Sequence, residues 1–147
     1  MLKIGDLLGG KYRILSVVGR GGMSTVYLAR NERANKNWAV KEVRKSGVNQ
    51  DQVVEQSLLT EVEIMKHLNN PHLPSIIDVI DIDDTFVIVM DFVEGNSLEK
   101  VLEHGSVSEI QVIDLAKQLC DVLLYLHSCN PPIIYRDMKP ANIVLRP

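Results

Sequence analysis

The chain has 147 residues, 46% of them hydrophobic and 24% charged, and its sixteen basic and nineteen acidic side chains leave a formal net charge of −3. That length holds one domain with a core of its own, the composition is that of a globular rather than a disordered chain, and no basic stripe suits nucleic acid. No apolar run approaches the roughly 18 residues of a membrane span.

Met1 to Asp6 lacks the apolar stretch of a signal peptide. Cys120 and Cys129 form no framework pattern, so reduced thiols and a cytoplasmic setting are expected.

In chain order, Tyr12 to Val18 is short and β-branched, and a Gly19-Arg20-Gly21-Gly22 turn leads to Thr25 to Ala29. Two apolar runs joined by glycines predict a hairpin with a long tip. Asn31 to Asn37 is a second turn before a third strand, Trp38 to Val43. The period then changes. Val54, Leu58, Val62, Met65 and Leu68 recur at helical spacing, predicting an amphipathic helix from Gln50 to Asn69 that ends at Asn70-Pro71. Glu61 falls on or beside its buried stripe.

A strand pair follows, Ser75 to Asp81 and Thr85 to Met90, then a linker around Phe92 to Asn96 and a short helix near Leu98 to Leu102. Ser108 with Gln111 three residues on forms a capping box. It opens the longest helix, to about His127, with Val112, Ala116, Leu119, Leu123 and Leu126 on one face. Ile143 to Leu145 reads as a final strand offering an open edge. Strands first and helices later predict an α+β fold of two lobes divided near residues 91 to 96.

The glycine turn sits between two strands, not before a helix, which argues against a dinucleotide-binding turn. Glycines at a hairpin tip let backbone N–H groups approach phosphate oxygens, although a flexible loop would have the same composition. Lys41 in mid-strand and Glu61 on the helix follow in order. The pair can neutralise one another across a sheet–helix interface and hold the ammonium toward a phosphate; read singly, each is an ordinary surface charge. Ile134 to Ile143, Ile-Tyr-Arg-Asp-Met-Lys-Pro-Ala-Asn-Ile, is the sharpest signal. Phosphoryl transfer needs an acceptor for the substrate hydroxyl proton and an oxygen ligand for Mg²⁺. Asp137 and Asn142, in a loop braced by Pro140, can supply both.

Glycine turn, Ala39-Val40-Lys41, helix glutamate and Arg136 to Asn142, in that order, resemble the eukaryotic-like (Hanks-type) protein kinases. The wording Gly-Arg-Gly-Gly-Met-Ser-Thr-Val is most similar to the bacterial serine/threonine branch. The resemblance runs from about Tyr12 to the end. It implies an ATP-binding lobe over residues 1–90, built on a five-stranded antiparallel sheet with one long helix. A hinge over 91–97 and the opening helices of an α-helical lobe over 98–147 follow.

On the same resemblance Gly19, Gly21, Gly22 and the backbone through Ser24 cover the ATP phosphates, and Lys41 holds the α- and β-phosphates while pairing with Glu61. Val18, Val26 and Ala39 roof the adenine and Val144 floors it. Met90 is the gatekeeper, backbone groups of Asp91 and Val93 meet the adenine edge, and Ser97 meets the ribose. Asp137 orients and deprotonates the acceptor hydroxyl, Lys139 steadies the γ-phosphate and Asn142 binds Mg²⁺. The partners implied are ATP and a protein substrate.

Ser24 replaces the third glycine of the pattern, and Tyr135 stands where most members have histidine. The family's Asp-Phe-Gly ligand follows the catalytic asparagine by roughly a dozen residues, and five residues follow Asn142 here. The chain is therefore expected to be a fragment that binds nucleotide without completing the chemistry, and to self-associate through extra apolar faces of its longest helix. Two rival readings are a non-catalytic nucleotide-binding or scaffolding module and a small-molecule kinase such as an aminoglycoside phosphotransferase. Lys41, Glu61, Asp137 and Asn142 argue against the first for the parent protein, although it still describes the truncated chain, and the Arg-Asp-x-Lys-Pro string argues against the second.

Overall fold

The computed structural model describes residues 1–21, 24–45 and 51–147, the side chains of residues 51–55 and Leu58 excepted. Runs of β-branched and aromatic residues with period-two alternation form β2 (Tyr12–Arg20), β3 (Ser24–Asn31), β4 (Lys36–Arg44), β5 (Ile76–Ile82) and β6 (Thr85–Asp91). These are the five expected strands. A sixth, β1 (Leu7–Leu8), joins the edge by pairing Leu7 with Arg13 and Leu8 with Tyr12. The antiparallel order is β1-β2-β3-β4-β6-β5.

Alternation in β4 sorts the sheet into two faces. Trp38 and Val40 point to one face, where they meet Leu8, Tyr12, Ile14, Tyr27, Ala29, Val87 and Val89 in the main core. Ala39, Lys41 and Val43 therefore point to the other. There Val43 and Ile88 pack with Val62 of α1 (Asp51–Lys66), and Ile76, Val79 and Met90 lie against them. The helix is shorter than predicted at its C-terminal end. Of its expected stripe Val62 is buried, Leu68 half-buried and Met65 exposed, while the side chains of Val54 and Leu58, like Gln50, lie outside the described residues.

Two compact units divide the chain: residues 1–69 with 74–92, and residues 70–73 with 93–147. In the second unit β7 (Asn96–Ser97) leads into α2 (Leu98–Glu103), α3 (Glu109–His127), a 3₁₀ turn over Pro140–Asn142, and β8 (Val144–Leu145). Ser108 caps α3 as its sequence predicts. The Gln111 N–H donates to the Ser108 hydroxyl at 3.3 Å, and the Ser108 N–H donates back to Gln111 Oε1 at 2.9 Å.

Two expectations need correction. The buried residues of α3 are Val122 and Leu126, with Leu115 and Leu119 half-buried on the same line, whereas Val112 and Ala116 are exposed. The predicted stripe is rotated because apolar residues recur around most of this helix, so periodicity does not select a face. The C-terminal strand is not left without a mate either. Ser97 pairs with Val144 and Asn96 with Leu145, and the Leu98 N–H donates to the Ile143 carbonyl at 2.8 Å.

Candidate active site in two groups of residues

The first group is carried by the sheet. Register places Gly19 beside Val26, Val26 beside Lys41, and Lys41 beside Ile88, so three residues assigned to the nucleotide form one row. Ala39 and Met90 are partners in the next row of the same face. Val18 falls in the irregularity between Val17 and Gly19, has no partner in the ladder, and is exposed. Lys41 is half-buried on the face that α1 covers; Glu61, next to buried Val62, is exposed.

The hairpin tip carries a local surprise. The Gly21 N–H donates to the Ser24 carbonyl at 2.8 Å, which closes the turn, so that amide is already engaged within the chain. Gly22 lies outside the described residues. A Cβ built at Gly19 meets nothing within 4 Å, and one at Gly21 would come no nearer than 3.6 Å to Ser24. Neither glycine has a positive φ. Among the described residues, then, neither backbone conformation nor packing demands glycine at these two positions.

At the end of β6 the Asp91 N–H donates to the Ser75 carbonyl, and the Ser75 N–H donates back to Asp91 Oδ2, both at 3.0 Å. Lys36 approaches Asp91 Oδ1 at 3.7 Å while lying over the Trp38 ring at 4.1 Å. The Asp91 amide is thus already engaged within the chain.

The second group lies in the other unit. Val93 is a half-buried linker residue. Ser97 is the N-cap of α2, its Oγ accepting from the Lys100 N–H at 3.3 Å; the hydroxyl proton is left to donate outward. Its strand partner is Val144, so the residues assigned to ribose and to the adenine floor are neighbours.

Three more side chains converge on the loop before β8. Asn142 Nδ2 donates to both the Asp137 carbonyl, at 2.9 Å, and Asp137 Oδ2, at 3.0 Å. Lys139 Nζ stands 3.3 Å from Asp137 Oδ1. A turn with the Asn142 N–H on the Lys139 carbonyl, at 2.9 Å, fixes this geometry; Pro140 at its first position supplies the preset φ. Asp137 is 70% exposed, so its carboxylate is open to an incoming hydroxyl. Nearby, burial pushes the Tyr135 phenol above its ordinary range, the Asp137 charge adds to the rise, and the Asn142 hydrogen bond and Lys139 oppose it.

With Nδ2 turned to Asp137 as donor, Asn142 Oδ1 is the oxygen left to ligate, a hard donor of the kind Mg²⁺ takes together with phosphate oxygens and water. Among the described residues no group of three or more His, Cys, Asp or Glu side chains could hold a metal by itself. No helix among them is long and apolar enough to cross a membrane.

Curled antiparallel sheet, covering helix and an Asp-Lys-Asn loop before a short strand define a protein kinase domain. The protein kinase domain family matches residues 12–147, and this chain belongs to it. Similar curated proteins include myosin light chain kinase A of Dictyostelium discoideum, 35% identical over 92% of this chain and 45% of that protein. A probable serine/threonine-protein kinase of Clostridium perfringens is 35% identical over 97% of this chain and 20% of its own length. Serine/threonine-protein kinase PrkC of Bacillus subtilis is 32% identical over 97% of this chain and 22% of its own length. The chain spans less than half the length of each of these relatives.

Proposed function

We propose that the protein transfers the γ-phosphoryl group of ATP to a serine or threonine hydroxyl of a protein substrate, in the cytoplasm, and that these 147 residues bind the nucleotide. The observation that carries this reading is the Asp137 carboxylate, exposed to solvent, with Lys139 on one oxygen and Asn142 on the other. Asn142 and Lys139 hold the carboxylate so that it can accept the hydroxyl proton as the substrate oxygen bonds to the γ-phosphorus and the bond to the ADP oxygen breaks. Mg²⁺, when bound, neutralises charge on the phosphates; Asn142 Oδ1 would hold it.

Within the sheet, Lys41 is the cation in the row that begins at Gly19, and it would hold the α- and β-phosphates with Glu61 as counter-charge. Val26 and Ala39 share its face and would roof the adenine. Glycine at 19 and 21, with no internal demand for it, suits the close approach of a phosphate. Free thiols at Cys120 and Cys129 suit a reducing compartment.

Lys41→Met tests the reading by titration calorimetry. ATP affinity should fall about tenfold or more while adenosine affinity is unchanged, because the lost charge meets phosphate alone. Equal ATP affinity in the two proteins overturns the role given to Lys41.

A further inference from the structure

Gly95 has φ +144°, and an L-Cβ built on it would stand 2.0 Å from the Leu145 carbonyl oxygen, 2.8 Å from its carbon and 3.2 Å from Val144 Cγ1. The two nearest atoms are backbone, so no rotamer change relieves the overlap; β8 itself would have to move. Gly105, in the same unit, offers a comparison. Its φ is +149°, yet nothing lies within 4 Å of its Cβ position. Both glycines are demanded by backbone conformation, and Gly95 is demanded by contact as well.

What the contact holds in place is specific. Asn96 pairs with Leu145, Ser97 with Val144, and the Leu98 N–H with the Ile143 carbonyl. Residues 96–98 are thereby closed onto residues 143–145 directly behind Gly95. One residue before that segment, Asn142 binds Asp137 through its amide. The 3₁₀ turn, with the Ile143 N–H on the Pro140 carbonyl at 3.4 Å, leaves little slack between them.

We propose that Gly95 is a positioning residue for the nucleotide, its missing side chain letting β8 close on β7 so that Val144 and Ser97 sit together under the purine and ribose. This rests on the nucleotide-binding reading above. A Cβ at position 95 displaces Val144 from Ser97 and so weakens the nucleoside part of the interaction, leaving the phosphate contacts of Lys41 untouched.

The experiment compares Gly95→Ala with Gly105→Ala, which carries the same φ strain without the overlap. Each is titrated with adenosine and with ATP at a temperature where circular dichroism shows it folded, and hydrogen exchange is followed at the Leu98 amide. Gly95→Ala should weaken adenosine and ATP by a common factor of about tenfold or more and speed exchange at Leu98; Gly105→Ala should do neither. Gly95→Ala binding both ligands as tightly as Gly105→Ala overturns the proposal, and so does a Gly95→Ala chain that never folds, since Gly95 is then a folding residue. Wild-type protein that binds neither ligand overturns the nucleotide reading itself. Unequal exchange at Leu98 in the two variants would in that case still establish the closure of β8 by Gly95, separating the two failures.

Discussion

Tyr27 donates its hydroxyl proton to Glu42 Oε2 at 2.9 Å inside the main core, and the Leu2 N–H reaches both oxygens of that carboxylate at 3.1 and 3.2 Å. Glu42 is 4% exposed, and a buried carboxylate is tolerated only with such donors. Tyr27→Phe should cost about 1–3 kcal/mol at neutral pH by leaving Glu42 one donor short, measured by urea denaturation. Its pH dependence has a definite sign. Burial first, and the Glu42 hydrogen bond and charge next, raise the Tyr27 phenol above its ordinary 10.0. Folding therefore favours the protonated phenol, and that contribution is present below pH 10 and is lost as pH rises through the raised value. Tyr12 is raised too, by burial and by Asp78, so Tyr27→Phe should flatten part of the alkaline loss of stability. A wild-type alkaline limb identical to that of Tyr27→Phe would overturn the assignment. Glu42 was legible in principle, since it shares the parity of Trp38 and Val40 along β4, but a charge beside Lys41 reads as surface until the core side of the strand is known.

Elements differ in how openly their sequences declare them. The start of α3 could be read to the residue because the capping box is local chemistry. Its buried face could not, since Ile113, Leu115, Leu119, Val122, Leu123, Leu124 and Leu126 surround the axis. β1 and β7 have two residues each, too few for any period, and β7 finds its partner β8 nearly fifty positions on; only tertiary pairing reveals them. Asp137, Lys139 and Asn142, proposed to carry the chemistry, stand in the sequence as residue types in order, whereas the two Nδ2 bonds from Asn142 to Asp137 required the turn around Pro140. The exposed line of α3 has its own consequence. Ile110, Ile113, Cys120 and Leu124 follow one another at helical spacing, and Ile110 and Leu124 are 80% and 68% exposed. An apolar stripe of this kind favours association. Light scattering on the 147-residue chain should report about twice its 16.5 kDa, and Leu124→Glu should shift the mass toward monomer. A monodisperse wild-type monomer at high concentration overturns this expectation.

At the scale of the whole molecule, Asn142 is the only Mg²⁺ ligand that the family resemblance assigns among these 147 residues, whereas protein kinases hold the metal pair with an aspartate as well as this asparagine. Positioning and neutralisation of the γ-phosphate are both incomplete with one. The purified chain should transfer no phosphate to a generic basic protein above background, and robust transfer that disappears in Asp137→Asn would overturn this. Two faces of a single sheet meanwhile serve two purposes: the face of Trp38, Val40 and Glu42 builds the core, and the face of Ala39 and Lys41 carries the residues proposed to meet the nucleotide.

That division constrains what a gene encoding this fold can tolerate. Adjacent residues Lys41 and Glu42 sit on opposite sides of β4, so deleting one residue between Trp38 and Lys41 without a bulge would exchange their faces. The ammonium would then be driven in beside Tyr27, and a carboxylate would take its place in the row that begins at Gly19. Substitutions along this stretch can be repaired one side chain at a time, but a shift of odd length cannot. The interval from tryptophan to lysine should therefore drift in composition far more readily than in length.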